Sequence, residues 1–339
     1  MSTSDEITCI DCGGSSLRAV YFRSPKDSNT IRRVDEPVFH DDSAYVILKC
    51  SDCESIFLHP YYFEESFAVY SSKRYFDGYF ANNIHRGGGP DLTEGALGAW
   101  QERVRASNSR KKAASILRLA GLWGHSKPRV LEIGCAQGRL TKAFADLGCE
   151  ASGLDISQHA VEAASKTGIP AFHGRFEDYE CPDAHFDMIV SIQTFEHMAS
   201  LDEIAPKIRA KLKPNGVLVI EVPNDIDGYR GKLYARPWWF VPPMHIRYFT
   251  LQNACNIFGQ RGMRLLTHAT LGSVGVDCSC ILDWLFRKAK LDKLPGYGKA
   301  RTIGTAGMRI LGGPIDSVFN TARMHSDMTL VLAPDEASE

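Results

Sequence analysis

The sequence predicts an α/β protein whose larger part is a doubly wound sheet and whose first part is a small cysteine-rich module. An apolar segment at 129–133 runs into a glycine turn and then an amphipathic helix, which predicts the start of the sheet. A second strand at 150–155 and a helix ending at Gly168 repeat this order, as in many nucleotide-binding α/β folds. Two Cys-x-x-Cys pairs within the first 60 residues predict the module.

The composition is that of an ordinary globular protein, with 44% hydrophobic and 23% charged residues in a chain of 339. With 39 Lys and Arg against 40 Asp and Glu, the net charge of −1 argues against a non-specific binder of nucleic acid or membrane surfaces. No apolar run approaches the ~18 residues of a membrane-spanning helix, and the N-terminal residues lack a secretory signal. We therefore expect a cytoplasmic, reducing setting, in which cysteines are thiols or metal ligands.

The two cysteine pairs have the spacing of a structural zinc site. Each pair sets two thiolates on one tight turn, and 37 residues separate the pairs. Two such turns supply the four sulfurs that tetrahedral zinc prefers, whereas a redox site needs only one pair. Short strands predicted between the pairs complete a zinc ribbon over residues 1–62; unligated or redox-active cysteines are the alternative. The predicted ligands are Cys9, Cys12, Cys50 and Cys53.

The charge of this module bears on its partner. Residues 1–60 hold six basic and ten acidic side chains, and this negative balance has the wrong sign for gripping phosphates. An aromatic and helical connector follows at 63–127. Its basic helix at 97–120 has either a solvated face or a contact with an anionic substrate. We expect the module to be structural or to lie on the substrate side.

The glycine turn after the first core strand distinguishes between possible ligands. A dinucleotide fingerprint starting at Gly134 needs glycines where the chain has Ala136 and Arg139. The carboxylate of Glu132, directed toward the turn, would also repel a pyrophosphate. Asp155 ends the next strand 21 residues after Gly134, where a carboxylate can accept both hydroxyls of an unphosphorylated ribose. The pattern indicates a ligand that has a ribose and places no phosphate at the turn.

These residues resemble the class I S-adenosylmethionine-dependent methyltransferases. The shared segment is E-x-G-x-x-x-G followed by a ribose-binding acid, and the likeness covers about residues 128–270. It implies a Rossmann-like doubly wound sheet, the class I methyltransferase fold, with S-adenosylmethionine as the cofactor. The residues and segments that carry it are Glu132, Gly134, Gly138, Asp155, Gly174–Asp178, Phe186–His197 and Leu212–Asn224.

The resemblance implies roles for the residues around the methionine and ribose parts of the cofactor. Gly134 and Gly138 would let the turn approach the methionine part, and Asp155 would bind the ribose. Gln193 would close the pocket behind the sulfonium. A cationic or zwitterionic ligand of this kind also suits a turn that has Glu132 beside it.

The resemblance also implies contacts for the adenine ring. Ile156 would pack on the ring. Its edge would lie near Glu177 or near the backbone of Arg175 and Phe176.

The N-terminal module extends the resemblance to bacterial methyltransferases that act on sugars, glycans and secondary metabolites. Such enzymes carry a ribbon of two Cys-x-x-Cys pairs and aromatic-rich sequence before the core. Sugar C-methyltransferases with this ribbon have a further C-terminal domain, for which this chain has too few residues, and this counts against carbon methylation. The implied function is methylation of a small-molecule or glycan-like acceptor, such as a nucleotide-linked sugar or a natural product.

Two other functions are compatible with the same residues. Some zinc-bearing methyltransferases modify ribosomal RNA, although the acidic balance of the module counts against nucleic acid as a partner. A non-catalytic protein that binds S-adenosylmethionine, as a sensor or an assembly module, would keep the same pocket.

Two histidines are candidates for moving an acceptor proton. His245 lies in an aromatic stretch at 234–250, whose prolines exclude a regular helix. A loop after the fifth strand of a doubly wound sheet borders the ligand crevice. His197 follows the fourth core strand. Each is either a general base or a histidine that organises the pocket by hydrogen bonding, and some acceptors need no base.

The C-terminal residues 271–339 are expected to form a helical lid and a closing strand. Helices are predicted at 279–291 and 299–321, and a strand at 328–333. Seven basic and two acidic side chains at 281–312 either meet a phosphorylated acceptor or form solvated helix faces.

Overall fold

The chain forms two β-sheets, one small and antiparallel, and one large and mixed. A computed structural model describes residues 7–23, 31–33, 45–60, 71–72, 95–224, 245–271 and 327–335. Most of the aromatic part of the predicted connector, the Pro-rich stretch at 225–244 and both predicted lid helices lie outside these residues.

The small sheet carries the cysteine pairs. Its strands are β1 (Leu17–Arg23), β2 (Ile31–Arg33), β3 (Tyr45–Cys50) and β4 (Ile56–His59). They follow the order β2-β1-β3-β4, and neighbouring strands are antiparallel. The strands predicted between the two cysteine pairs are therefore present. Cys50 ends β3, and Cys53 lies in the turn that leads into β4.

The large sheet has seven described strands. They are β5 (Arg129–Ile133), β6 (Glu150–Asp155), β7 (Ala171–His173), β8 (Phe186–Ile192), β9 (Leu212–Pro223), β10 (Met263–Leu271) and β11 (Asp327–Pro334). Their order is β10-β11-β9-β8-β5-β6-β7. The pairs from β5 to β9 are parallel, whereas β11 is antiparallel to both β9 and β10. The chain thus winds from β5 to one side and then to the other, as predicted, and β11 is the predicted closing strand.

Five α-helices lie within the described residues. They are α1 (Gly95–Leu119), α2 (Arg139–Asp146), α3 (Gln158–Ser165), α4 (Leu201–Lys211) and α5 (Leu251–Gly259). The predicted helix at 97–120 is confirmed as α1. Ser157 caps α3, because its hydroxyl oxygen accepts a hydrogen bond from the Ala160 amide at 3.4 Å. Among the described helices, none has both the length and the apolar character of a bilayer span.

Helices cover both faces of the large sheet, because successive side chains of a strand point to opposite faces. On one face, Leu131 and Ile133 of β5 pack with buried residues of α4 and α5. On the other face, Val130 packs with Ile116 of α1 and Phe144 of α2. Each such apolar side chain contributes about 1.5–3 kcal/mol when it is fully buried. This core fixes the central strand on which the site is built.

Part of the basic face of α1 is paired within the protein. Lys112 forms an ion pair with Glu221 of β9, whose side chain is almost fully buried. The guanidinium of Arg118 lies 4.1 Å from the centre of the Trp123 ring. These two cations therefore have internal partners, which favours a structural role for them over contact with an anionic substrate.

The small sheet packs edge-on against the core. The amide of Leu58 donates to the carbonyl of Ile246 at 2.8 Å, and the amide of Tyr248 donates to the carbonyl of Ile56 at 2.9 Å. The Tyr248 side chain is buried with apolar residues of β3 and β4. The segment 246–248 therefore extends the small sheet beyond β4, and the two parts share an interface.

Gly138 lies where the start of α2 approaches α3. Its φ is +71°, a left-handed conformation that favours glycine. A Cβ at this position would lie 2.7 Å from Ile169 and 2.9 Å from the Cβ of Ala164. The packing against α3 is thus one reason for glycine at this position, and the predicted approach of the turn to a ligand stays a prediction.

Gly138→Ala is expected to destabilise the fold more than Gly148→Ala, a control at the other end of α2. Both glycines have a positive φ, +71° and +93°, where an L side chain costs about 1–2 kcal/mol. A Cβ at Gly148 meets nothing within 4 Å, whereas one at Gly138 adds an overpacking cost of about 1–3 kcal/mol. Urea denaturation measures both free energies of unfolding. Equal losses would contradict the packing role of Gly138.

Candidate functional site

The candidate site lies at the carboxyl end of the central strand. β5 pairs in parallel with β6 on one side and with β8 on the other. Ligands of doubly wound sheets bind in the crevice where the strand order reverses. Here that point lies between β5 and β8, so segments 134–138 and 193–197, which follow these strands, adjoin the crevice.

The glycine turn packs against the segment that follows β8. Gly134 has a φ of +76°, and Ala136 has a φ of +48°. A Cβ on Gly134 would lie 2.3 Å from the hydroxyl oxygen of Thr194, so only glycine fits there. Sequence reasoning missed Thr194, because its contact with the turn depends on the pairing of β5 with β8.

The carboxylate of Asp155 joins the end of β6 to the glycine turn. Its Oδ2 accepts a hydrogen bond from the Ala136 amide, and its Oδ1 accepts one from the Ser157 amide, each at 2.8 Å. Burial raises the pKa of Asp155, and the two amides partly offset this effect. Each carboxylate oxygen has a further lone pair, so Asp155 can also accept hydroxyl groups of a ligand.

The residues predicted to contact adenine follow Asp155 and β7. Ile156 is partly buried beside the site. The amide of Gly174 donates to the carbonyl of Asp155 at 3.0 Å, which draws the segment after β7 toward β6. Phe176 is buried in the core, so only its backbone is available to a ligand, while Glu177 is partly exposed. Contact of these residues with adenine stays a prediction.

Glu132 is buried beneath the turn. Its carboxylate accepts a hydrogen bond from the hydroxyl of Thr141 on α2. Burial raises the pKa of Glu132 to about 8, although the Thr141 hydrogen bond acts in the opposite direction. The group is therefore largely protonated at neutral pH, and the charge repulsion of a pyrophosphate expected from the sequence is weak. Ala136 and Arg139 still disfavour a dinucleotide, because its fingerprint needs glycines at these positions.

Gln193 joins the ends of three strands. Its amide donates to the carbonyl of Glu221 on β9 at 2.7 Å, and its Nε2 donates to Oδ1 of Asp327 on β11 at 3.1 Å. Its φ of +53° turns the chain away from β8. Gln193 thus links the carboxyl end of β8 to β9 and β11, and its predicted place behind the sulfonium stays a prediction.

His197 and His245 lie side by side. Their ring centroids are 4.8 Å apart, and the ring planes meet at 68°. The carboxylate of Glu196 is buried, with Oε1 at 3.7 Å from Nε2 of His197. Burial and the neighbouring His197 lower the pKa of His245 well below its ordinary value, so this ring is neutral at physiological pH. The sequence presents each histidine as a candidate by itself, and the structure brings the two rings together beside Glu196.

The backbone holds the two histidines together. The carbonyl of Glu196 accepts hydrogen bonds from the amides of Ile246 at 2.8 Å and Arg247 at 3.1 Å. Glu196 directly precedes His197, and Ile246 and Arg247 are the two residues that follow His245. The Nδ1 atom of His245 is buried and has no hydrogen-bond partner among the described residues. The pair therefore includes one buried nitrogen without a partner among these residues, and its burial disfavours protonation.

The four predicted zinc ligands meet in the small sheet. The Sγ atoms of Cys9 and Cys53 are 3.6 Å apart, and those of Cys12 and Cys50 are 3.7 Å apart. All four sulfurs lie within 4.8 Å of one another. Sulfurs at ~2.3 Å from a tetrahedral zinc ion are about 3.8 Å apart, so the cluster has the size and donor set of such a site.

Comparison with known proteins relates the chain to methyltransferases. A family described as a methyltransferase domain matches residues 101–268. A ubiquinone biosynthesis O-methyltransferase from Bradyrhizobium sp. (strain ORS 278) is 30% identical over 189 residues, which cover 49% of this chain and 71% of that protein. One of the same name from Bradyrhizobium diazoefficiens is 33% identical over 128 residues, which cover 36% of this chain and 49% of that protein. The chain thus spans about half the length of several curated relatives that it matches.

A solved structure has a similar arrangement at low sequence identity. It is an S-adenosylmethionine-dependent methyltransferase from Archaeoglobus fulgidus, with 19% identity and a TM-score of 0.44. The superposition covers 66% of this chain and 93% of that chain.

Glu132→Gln is expected to stabilise the protein increasingly as the pH rises from about 4.5 to 8. The folded-state pKa of about 8 exceeds the ordinary value of 4.5, so wild type loses stability across this window, because the carboxyl ionises in the unfolded chain while the buried group stays protonated. Glutamine stays neutral, and a gain of roughly 2–4 kcal/mol at pH 8 follows from ~1.4 kcal/mol per pKa unit. Denaturant unfolding at several pH values measures it.

Asp187→Asn provides a control of the opposite sign. Although partial burial acts to raise it, the pKa of Asp187 is lowered by the Lys213 ammonium and the Arg129 amide. This variant should lose stability relative to wild type at neutral pH and match it in acid. A Glu132→Gln difference that is constant with pH would contradict the burial of an ionisable carboxyl group.

Proposed function

Because the chain belongs to the class I S-adenosylmethionine-dependent methyltransferases, we propose that it transfers a methyl group from S-adenosylmethionine to a small-molecule acceptor. The observation that carries the proposal is the carboxylate of Asp155, hydrogen-bonded to the glycine turn at the switch point of the sheet. This arrangement suits a ligand that offers ribose hydroxyls at β6 and no phosphate at the turn.

The cofactor would lie across the ends of β6, β5 and β8. Its ribose would bind Asp155 and its adenine would pack on Ile156, with Glu177 and the Phe176 backbone at the ring edge. Its methionine part would follow the turn past Gly134 toward Gln193. The neutral, buried Glu132 beneath the turn supports the position of α2 through Thr141 and would acquire charge more readily beside a cationic ligand.

The acceptor would approach from the side of β8. β6 and β8 flank β5 on opposite sides, so a ligand with its ribose on Asp155 extends over the turn toward His197. S-adenosylmethionine supplies a methyl group on a sulfonium, whose departure as a thioether makes it a good leaving group. The chain's contribution is then to align the acceptor with that methyl group and to exclude water.

The histidine pair suits an acceptor that must lose a proton. The partly exposed ring of His197 can receive a hydroxyl proton, and the neutral ring of His245 packs against it. The carboxylate of Glu196, 3.7 Å from His197, would stabilise the positive charge that develops on the ring. We propose that the two histidines act as one unit in this step.

A hydroxyl oxygen is therefore the proposed acceptor atom. Relatives at about 30% identity are named ubiquinone biosynthesis O-methyltransferases, which supports oxygen as the atom that receives the methyl group. The small sheet carries the two cysteine pairs on which the sequence resemblance rests. It therefore supports a glycan-like or natural-product acceptor, as that resemblance implies. Nucleotide-linked sugars and phenols such as catechols are suitable test compounds, because they offer glycan-like and natural-product hydroxyl groups.

We also propose that the four cysteines hold one structural zinc ion. Four thiolates complete a tetrahedral shell, which leaves no open position for catalysis. Cys9, Cys50 and Cys53 are buried, and the amide of Asp52 donates to Sγ of Cys50 at 3.4 Å, as expected for a sulfur that carries negative charge. The ion would add to the small apolar core that the sheet builds from residues such as Leu48 and Phe57.

Asp155→Ala is expected to weaken S-adenosylmethionine binding by roughly 1.5–3 kcal/mol, the range for hydrogen bonds to a charged group. Calorimetry measures the change in affinity. Circular dichroism checks that the variant stays folded without the hydrogen bond from Ala136 to the carboxylate. Asp146→Ala, on the exposed end of α2, is the control and should bind as wild type does. Unchanged affinity in Asp155→Ala would remove this residue from the ribose role.

His197→Gln and His245→Gln are each expected to lower turnover by ~10²–10⁴-fold with little change in cofactor affinity. If the pair is one unit, the double variant should lose about as much as the more damaged single variant. Turnover is measured as release of S-adenosylhomocysteine with a panel of catechols, nucleotide-linked sugars and amines. Near-normal turnover in His245→Gln, or losses that multiply in the double variant, would contradict the shared role.

About one zinc ion per chain is expected in protein purified without chelator. Cys50→Ser should lose the metal, whereas Cys149→Ser, which alters a buried cysteine of the core, should keep it. Elemental analysis measures the zinc content per chain in wild type and in both variants. Wild-type protein without zinc would overturn the ribbon assignment.

A further inference from the structure

A buried carboxylate lies inside the first cysteine pair. Asp11, between Cys9 and Cys12, has a fully buried side chain with 0% exposure. It accepts a hydrogen bond from the Ser55 hydroxyl and one from Nε of Arg247 at 2.9 Å. A second guanidinium, that of Arg261, lies 3.7 Å from the same carboxylate. Asp11 is thus the counter-ion that the cysteine module presents to cations of the core.

Arg247 joins this carboxylate to the segment that follows His197. Its side chain is 1% exposed, and its terminal nitrogens donate to the carbonyls of Met198 and, at 2.9 Å, Ala199. A planar guanidinium holds all three partners in one fixed geometry. One side chain therefore connects the cysteine turn with the residue next to His197.

The same arginine also fixes the segment that carries His245. Its backbone forms an antiparallel bridge with Phe57 of β4, and its amide donates to the Glu196 carbonyl at 3.1 Å. His245 lies only two residues before Arg247. Arg247 thus forms hydrogen bonds with the segment of His197 and belongs to the segment of His245. Its side chain forms an ion pair with Asp11.

The cofactor side of the site is held by different contacts. Asp155 accepts its hydrogen bonds from Ala136 and Ser157, which belong to the loops after β5 and β6. Gly134 is packed against Thr194 at the near end of the segment after β8. A change at Asp11 would therefore reach His197 and His245 before it reaches the ribose-binding carboxylate.

We infer that Asp11 and Arg247 are positioning residues for the pair of His197 and His245. Through Asp11, the cysteine module thereby helps to form the acceptor side of the site. Binding of metal to Cys9 and Cys12 would fix the turn between them and so fix Asp11. This inference rests on the proposed role of the histidine pair. It assigns to the module a task beyond stabilising its own sheet.

Asp11→Asn tests the inference against Asp202→Asn, its matched control. Asp202 also pairs with Arg261, at 2.8 Å, but its side chain is 72% exposed, and it is Asp11 that pairs with Arg247. The readouts are the imidazole NMR signals of His197 and His245, assigned from their Gln variants, and calorimetric binding of S-adenosylmethionine. Neither of these readouts requires a known acceptor; turnover with an active acceptor is a third readout.

The expected result separates the two sides of the site. Asp11→Asn should shift both imidazole signals while the dissociation constant for S-adenosylmethionine stays within about twofold, and turnover should fall by roughly 10–100-fold, as for a small misplacement. Asp202→Asn should match wild type in every readout. Removing zinc with a chelator should reproduce the imidazole shifts of Asp11→Asn.

Two results would overturn the inference. Imidazole signals that stay at wild-type positions in folded Asp11→Asn would show that the carboxylate does not position the pair. A loss of S-adenosylmethionine affinity in Asp11→Asn as large as its loss of turnover would show that the module supports the whole fold instead. If Asp11→Asn does not fold, Arg247→Lys keeps the charge and removes the planar fork, and it should give the same shifts. Failure of wild type to bind S-adenosylmethionine would instead refute the proposed function.

Discussion

The site depends on one carboxylate that bridges two strand ends. Asp155, at the end of β6, accepts the amide of Ala136 in the turn after β5, and this bond fixes the turn in its left-handed conformation. A residue with a positive φ other than glycine is costly unless its surroundings hold it there. The same carboxylate keeps free lone pairs at the mouth of the crevice. The group that holds the turn is thus also the group proposed to bind the ligand.

The second constraint is the burial of charge between the small sheet and the core. Arg247 and Arg261 are almost entirely buried, and a buried cation requires a partner. Asp11 supplies it from the cysteine turn, 236 residues away from Arg247 in sequence. The interface between the two parts is therefore specified by charge and hydrogen-bond geometry as well as by apolar contact. It lies directly beside the histidine pair.

The local features of the fold could be predicted from the sequence because they arise from local patterns. The strand–turn–helix order, the cap at Ser157 and the acid at the end of β6 each depend on a few neighbouring residues. Long-range contacts could not be predicted in this way. The pairing of His197 with His245 and the packing of Gly138 against Ala164 need the assembled layers.

Burial also changed the chemistry that residue type alone suggested. Glu132 is a carboxylate in the sequence, but its buried position raises its pKa to about 8. The sequence did contain one indication of the contacts of Arg247. This residue lies within the apolar run Ile246–Phe249, where a lone charge requires a buried partner. The identity of that partner required the structure.

The central claim is that the turn held by Asp155 takes a ribose without a phosphate, and titration calorimetry of the wild-type chain with two ligands tests it most directly. We expect one molecule of S-adenosylmethionine to bind per chain and a nicotinamide dinucleotide to give no heat of binding at the same concentration. Saturable binding of the dinucleotide, with none of S-adenosylmethionine, would contradict the account.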